Sequence, residues 1–259
     1  MKALASLDAR GIDTLLFDID ETLTSEGRLT AAAYSALERL KGAGKRLVPI
    51  TGRPAGWCDH IARMWPVDAV VGENGAFYFG MFGGKLVQRF QDDAATRARN
   101  RERLRAIAAR ILAAVPGCAL ASDQGYRETD LAIDYCEDVP PLPLESAERI
   151  AALMREAGLS AKISSIHVNG WFGSYDKLAM TRTLFRERFA LELDREQRRV
   201  AFVGDSPNDQ PMFAYFENSV GVANVRRFEA VLKHKPRYLT KNHSGEGFTE
   251  LASQLLGES

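Results

Sequence analysis

Cysteine is scarce in this chain, three residues in 259, and Cys58, Cys118 and Cys136 share no CxxC or Cys/His spacing. That argues against a disulfide framework and a thiolate zinc site, and fits reduced thiols in a cytoplasmic protein. Long apolar runs are lacking too. No segment approaches a membrane span, and the opening MKALASLDARG holds no stretch of signal-peptide length. Charge of one sign is also missing. Thirty-four basic residues balance thirty-four acidic ones, so no global field draws the chain to nucleic acid or to a membrane surface. Internal repeats and low-complexity tracts are absent. What is left is the composition of an ordinary globular protein, with enough residues for one large or two modest cores.

Periodicity and punctuation then set an order of elements. Residues 14–18 are a short apolar run ending in an acid, which predicts a buried strand. Thr30 can cap a helix in which Tyr34, Leu37 and Leu40 share a face, stopped near Gly42 and Gly44. A strand over 46–50 ends in Thr51-Gly52-Arg53-Pro54, and Pro54 suits the first turn of a helix reaching about 65. A third strand, 68–72, is followed by Glu73-Asn74-Gly75-Ala76. Strand, helix, strand, helix, strand is the signature of a parallel sheet with right-handed crossovers. From 77 the rhythm changes to short strands around long helices over 92–115 and 145–157. After Asp176 the alternation returns, with a strand over 200–204 ending in Asp205-Ser206-Pro207-Asn208-Asp209. The predicted fold class is α/β. A Rossmann-like open parallel sheet is built from residues 1–82 and 173–259, and an α+β cap is inserted over 83–172.

Asp18 and Asp20, two residues apart at the end of an apolar strand, repel each other and lose solvation. In an open parallel sheet, ligands bind outside the carboxyl ends of the strands. Here those ends carry Asp18 and Asp20, Thr51-Gly52-Arg53, Glu73-Asn74, and Asp205 with Asn208-Asp209. Asp18 and Asp205 can offset their mutual repulsion by sharing a cation. All-oxygen donors select a hard ion, and Mg²⁺ binds through one or two carboxylates plus a phosphate while keeping waters. Singly, each segment reads as a turn, a cap or a loop-to-helix junction, and Lys177 as a surface lysine. Their joint placement at strand ends carries the reading.

Four segments also carry a resemblance over essentially the whole chain. They are Asp18-Ile19-Asp20-Glu21-Thr22-Leu23, Thr51-Gly52-Arg53, Lys177, and Gly204-Asp205-Ser206-Pro207-Asn208-Asp209. Together they look like the four motifs of the haloacid dehalogenase superfamily of phosphohydrolases. The chain is most similar to the type-IIB group with a large α/β cap, which includes Cof-like sugar phosphatases and trehalose-, sucrose- and mannosylglycerate-phosphate phosphatases. The resemblance implies that Asp18 is a nucleophile forming an aspartyl-phosphate, and that Asp20 is general acid and then base. It implies Thr51, Gly52, Lys177 and Asn208 around the phosphoryl group, and Mg²⁺ on Asp18, the Asp20 carbonyl and Asp205. Asp209 is expected behind Lys177 and the metal. Glu21 departs from the family pattern, where most relatives carry glycine. The implied partner is a small-molecule phosphate ester, first of all a sugar phosphate, acted on by a monomer or homodimer. A sugar phosphomutase and a non-catalytic phosphate-ester sensor are the competing readings.

The leaving group must then be read by the cap. Candidates there are Arg127, Asp134, His167 and Asn169, joined by Arg53 and Asn74 from the core. An equally good alternative puts Asp134 and His167 on the solvent face of a half-buried sheet. Arg97, Arg99, Arg101, Arg103 and Arg105 lie on one helix among acids and without aromatic interleaving. They read as a solvated outer face rather than a nucleic-acid surface. Cys58 and Cys136 read as buried small apolar side chains.

Overall fold

In the computed structural model, which describes residues 1–258, the chain opens with β1 (Lys2–Ala3), β2 (Thr14–Phe17), α1 (Ala31–Gly42), β3 (Arg46–Pro49), α2 (Ala55–Met64) and β4 (Val70–Gly72). A hairpin of β5 (Phe77–Phe82) and β6 (Lys85–Phe90) follows. Next come α3 (Ala94–Ala114), β7 (Ala119–Leu120), β8 (Leu131–Asp134), α4 (Leu144–Glu156), β9 (Ser160–Ile163) and β10 (His167–Trp171). The last stretch holds α5 (Lys177–Leu184), β11 (Val200–Gly204), α6 (Gln210–Tyr215), β12 (Asn218–Gly221), β13 (Tyr238–Leu239) and α7 (Ser244–Leu256).

Six parallel strands form the core sheet in the order β1-β13-β12-β11-β2-β3. Their side chains alternate between two apolar layers, as a sheet covered on both faces requires. Leu15 and Phe17 of β2, with Ala201 and Val203 of β11, pack on one side with α1 and α7. Leu16, Val200 and Phe202 face the other side, against Met180 and Leu184 of α5 and Met212 and Phe213 of α6. Helix α1 starts where expected, because the Thr30 side chain accepts from the Ala33 amide at 3.2 Å. Tyr34 is only half-buried, and Ala33 and Ala36 join Leu37 and Leu40 in the core instead.

The cap has a separate four-stranded antiparallel sheet, β7-β8-β10-β9. Leu131 and Ile133 of β8 and Val168 of β10 point to α3 and α4 and make the cap's own core. By the same alternation His167, Asn169 and Trp171 take the opposite face, toward the core domain. All three are buried, as is Asp134, so the solvent-face alternative for Asp134 and His167 fails. The hairpin stays with the core. β5 pairs with β4, and a parallel bridge from Ile50 to Val71 joins β4 to the six-stranded sheet. A division at residue 83 therefore cuts through a hairpin turn, and the chain leaves the core sheet after Phe90. The two-residue strands β1 and β13 are additions that the periodicity did not predict. Among the described residues no helix is long and apolar enough to cross a membrane.

The arginine helix is less uniform than its pattern suggests. Arg97 lies 3.9 Å from the Phe90 ring centroid and Arg103 3.6 Å from that of Phe172, while Arg99 and Arg105 face solvent. Of the cysteines, Cys58 is buried but Cys136 is only partly so.

Candidate active site

Asp18 follows β2 directly, and its amide donates to the Val203 carbonyl, so the sheet ladder itself fixes where the carboxylate begins. Lys177, the first residue of α5, is buried between two acids. Its Nζ donates to Asp18 Oδ1 at 2.8 Å and to Asp209 Oδ1 at 2.7 Å. Burial opposes the lysine's charge, but the Asp18 and Asp209 carboxylates override it and hold the ammonium above the ordinary lysine range. The other oxygen of Asp209 accepts from the amides of Asp205 at 3.0 Å and Ser206 at 3.2 Å. Gly204 makes room for that arrangement, since a Cβ there would stand 2.3 Å from Asp209 Oδ2. Both oxygens of Asp209 are thus engaged, one by Lys177 and one by two backbone amides.

Asp205 is different. It is buried, its Oδ2 accepts from Asn224 at 3.2 Å, and its Oδ1 has no partner. Burial, and then the charge of Asp18, push its carboxyl well above the usual range. Burial also raises Asp18, against the pull of Lys177.

Thr51 is buried at the end of the strand run, and its Oγ1 accepts from the Arg53 amide at 3.0 Å. The Asn74 side chain packs against Gly52 and accepts from Asn208 Nδ2 at 3.2 Å. Its own Nδ2 is buried and unpaired. The turn that carries Asn74 touches the start of α5 so closely that Gly75, at φ +105°, has no space for a Cβ. One would stand 2.0 Å from the Asp176 carbonyl oxygen. The Gly75 contact therefore sets the distance between Asn74 and Lys177.

The cap closes over these loops through charges that the pattern did not reveal. Arg53 donates through Nε to both oxygens of Asp20, at 2.9 and 3.0 Å, and through Nη2 to Glu137 of the cap at 2.5 Å. Its Nη1 reaches Asp123, also of the cap, at 3.3 Å. Arg127 is buried and bonds Asp123, Asp130 and, across the seam, the Gly52 carbonyl at 2.9 Å. Asn169 donates to Asp130 at 2.9 Å. Glu73 ties the same seam from the core. Its carboxylate accepts from the Ala55 amide that opens α2, from the amides of Glu128 and Thr129, and from the Thr129 hydroxyl.

Of the predicted cap residues, then, His167 and Asn169 reach the site directly. Arg127 reaches it as a brace for the Gly52 loop. Asp134 does not. Its oxygens accept the amides of Cys136, Glu137 and Asp138, which makes it the cap of the turn that presents Glu137. Glu137, Asp123 and Asn224 were missed.

Asp18, Asp20, Gly52, Arg53, Ser164, Ile166, His167, Asn169 and Asn208 enclose a chamber of only about 10 Å³, room for a single water. Residues 15–97 match the family model of haloacid dehalogenase-like hydrolases. About a third of the chain is thus similar to this hydrolase family. The match spans the first two motif segments, and the fold brings Lys177 and Asp205 to the same sheet edge. The chain has no match among curated proteins. It superposes on solved structures along nearly its full length. The subclass IIB sugar phosphatase BT4131 gives a TM-score of 0.64 at 15% identity, covering 95% of this chain and 100% of that one. The sucrose-phosphatase of Synechocystis sp. PCC6803, solved with sucrose and phosphate, gives 0.62 at 16%, covering 94% and 98%. The C-terminal domain of the C. albicans trehalose-6-phosphate phosphatase gives 0.69 at 15%, covering 100% and 99%. At these identities the likeness establishes the fold, core and cap together.

The residues at this sheet edge fit a hard divalent cation. One carboxylate oxygen each from Asp18, Asp205 and Asp209 lies within 4.8 Å of the others, and the unpaired Asp205 Oδ1 is an acceptor with nothing to accept from. Because Asp209 is engaged by Lys177 and two amides, Asp18 and Asp205 are the side chains free to ligate.

Glu21 has a role after all. At φ +54° it holds the left-handed conformation that glycine adopts most easily, which agrees with the glycine that the resemblance implies there. Its side chain offsets the strain by accepting from the Ser244 hydroxyl at 3.0 Å and the Gly27 amide at 3.3 Å. Its carbonyl accepts from the same Asn224 Nδ2 that reaches Asp205.

Proposed function

We propose that this hydrolase is a Mg²⁺-dependent phosphatase of small phosphorylated metabolites, with sugar monophosphates as the substrate class and an aspartyl-phosphate as the intermediate. The observation that carries the reading is the buried chain Asp18–Lys177–Asp209 beside the unpaired oxygen of Asp205. It supplies an anionic nucleophile, a fixed cation and a vacant acceptor within one small space. Asp18, Asp205 and the Asp20 carbonyl would hold the metal, which when bound neutralises charge on the phosphoryl oxygens.

In the first half-reaction an Asp18 oxygen bonds to phosphorus as the ester P–O bond breaks, and Asp20 gives a proton to the departing alkoxide. In the second, Asp20 takes a proton from water, whose oxygen bonds to phosphorus as the Asp18–phosphorus bond breaks. Lys177 stabilises the charge that grows on the phosphoryl oxygens. Asn74 Nδ2 and Asn208, beside Gly52 and Thr51, supply neutral donors on the other side. In the closed form Asp20 is engaged by Arg53, so its proton transfers follow release of that pair. The type-IIB likeness and the sugar-phosphate substrates named for BT4131 and sucrose-phosphatase support the substrate class.

The test is phosphate release from a panel of sugar and polyol phosphates with Mg²⁺ or with chelator. Turnover that needs Mg²⁺ and falls by at least about 10³-fold in Asp18→Asn agrees with the reading. Activity of Asp18→Asn near wild type sinks the nucleophile, and isomer formation without free phosphate turns the reading to a mutase.

A further inference from the structure

The chamber's roof says something about the leaving group. Every nitrogen of the two buried guanidiniums in the seam is already engaged. Arg53 is shared among Asp20, Asp123 and Glu137, and Arg127 among Asp123, Asp130 and the Gly52 carbonyl. Two buried cations thus serve four carboxylates, of which Asp123 and Asp130 are buried and Asp20 and Glu137 mostly so, and a second anion on the substrate would enter a field of its own sign. What the roof offers instead is acceptor capacity. Glu137 accepts from Arg53 through Oε1 at 2.5 Å and, more loosely, through Oε2 at 3.3 Å, and the same Oε2 lies 2.9 Å from His167 Nε2. That approach is too poorly aligned to satisfy the ring, and His167 Nε2 is buried without a hydrogen-bond partner. An unpaired imidazole nitrogen lining the chamber, next to a carboxylate oxygen, suits a group that both donates and accepts, such as a hydroxyl.

We infer that Glu137, with His167, is the specificity-determining pair of the hydrolase. It selects phosphate monoesters whose leaving group presents hydroxyl or ammonium donors, and rejects those carrying a second phosphate or a carboxylate. This rests on the phosphatase reading and deepens it. Glu137 acts on the leaving group and not on phosphorus. As Asp20 turns from Arg53 to the ester oxygen, Glu137 retains the guanidinium and directs Oε2 to a substrate hydroxyl. Asp134 is the device that holds it there, by capping the turn over residues 136–138.

The experiment measures kcat/KM by Mg²⁺-dependent phosphate release for phenyl phosphate, glucose 6-phosphate, glucosamine 6-phosphate, fructose 1,6-bisphosphate and 3-phosphoglycerate. Wild type is expected to favour the two hexose monophosphates over the bisphosphate and the phosphoglycerate by about 100-fold or more, the range that a mispaired buried charge can impose. In Glu137→Gln the ratio of glucose 6-phosphate to phenyl phosphate should fall by about 10-fold or more, and discrimination against the bisphosphate should narrow. Glu137→Asp, which keeps the charge but withdraws it, should retain the discrimination and lose the hydroxyl preference. Equal losses on all five esters in Glu137→Gln would show a closure role only and overturn the inference. So would a wild type that prefers the bisphosphate or the phosphoglycerate. No turnover of any ester, phenyl phosphate included, overturns the phosphatase reading itself.

Discussion

Replacing Asp205 by asparagine should make the metal-free protein more stable while removing its response to Mg²⁺. The carboxylate oxygens of Asp18, Asp205 and Asp209 lie within 4.8 Å of one another, and Lys177 serves only Asp18 and Asp209. At an effective dielectric of about 20, two unit charges at that separation repel by about 3.5 kcal/mol. Asparagine keeps an acceptor for Asn224 and removes the charge. For a chain of this size about 3 kcal/mol corresponds to a rise in Tm of roughly 6–12 °C.

The pH dependence has a definite sign. Burial raises both Asp18 and Asp205 in the folded state above the ordinary aspartate value of 3.8. The stability linked to them is therefore full below that value and is lost as pH climbs toward the raised folded values. Metal-free wild type should lose Tm from about pH 4 upward, with a shallower slope in Asp205→Asn. With Mg²⁺ at 100 times its dissociation constant, wild type should regain about 2.7 kcal/mol and the variant almost none. Thermal unfolding followed by circular dichroism, in chelator and in Mg²⁺ from pH 4 to 8, reads all of this. A metal-free variant that melts at or below wild type at pH 7.5 refutes the reasoning, as does an equal Mg²⁺ gain in both proteins.

Lys177→Met leaves Asp18 and Asp209 facing each other without their shared cation. Phosphate release should fall by about 10³-fold or more, whereas a loss under tenfold in single-turnover assays would remove Lys177 from the reaction. Glu73→Gln turns an amide group toward some of the four donors that Glu73 now accepts from. The core–cap seam should weaken by about 3 kcal/mol, visible as faster protease cleavage around residues 124–130; unchanged cleavage contradicts the tie. Glu21→Ala keeps the left-handed backbone and loses the Ser244 and Gly27 contacts, so it should cost about 1–2 kcal/mol in denaturant unfolding. Glu21→Gly should lie closer to wild type, and the reverse order would show that the strain at Glu21 is not real.

The core was legible because its information is local. A strand that ends in Asp18, or in Asp205, announces a sheet edge within a handful of residues, and the hydrogen-bonding ladder does the rest. The strands β1 and β13 were not, since two residues carry no period. The cap's polar face was legible only as far as alternation goes. His167 and Asn169 follow it, but Asp134, on the same face by parity, belongs to the turn after it. The segment Asp134-Tyr135-Cys136-Glu137-Asp138 carries an Asp followed by a run of amides able to fold back on it, an Asx-type signal that could have been read. Arg53–Glu137 and Glu73–Thr129 join residues far apart in the chain. No spacing rule links such pairs, and only the closed seam reveals that Glu73 is a fastener rather than a turn residue.

Arg53 and Arg127 tie the cap to the core directly over the chamber, so access to it from the cap side requires these contacts to part. Those contacts then become a toll on capture. If the open form is a fraction f of the population, the apparent dissociation constant of any substrate is its intrinsic value divided by f. Loosening the seam would tighten apparent binding and quicken encounter, while weakening the contacts that hold the cap over the Asp18 loop. The strength of those few contacts sets the compromise between speed of capture and firmness of closure.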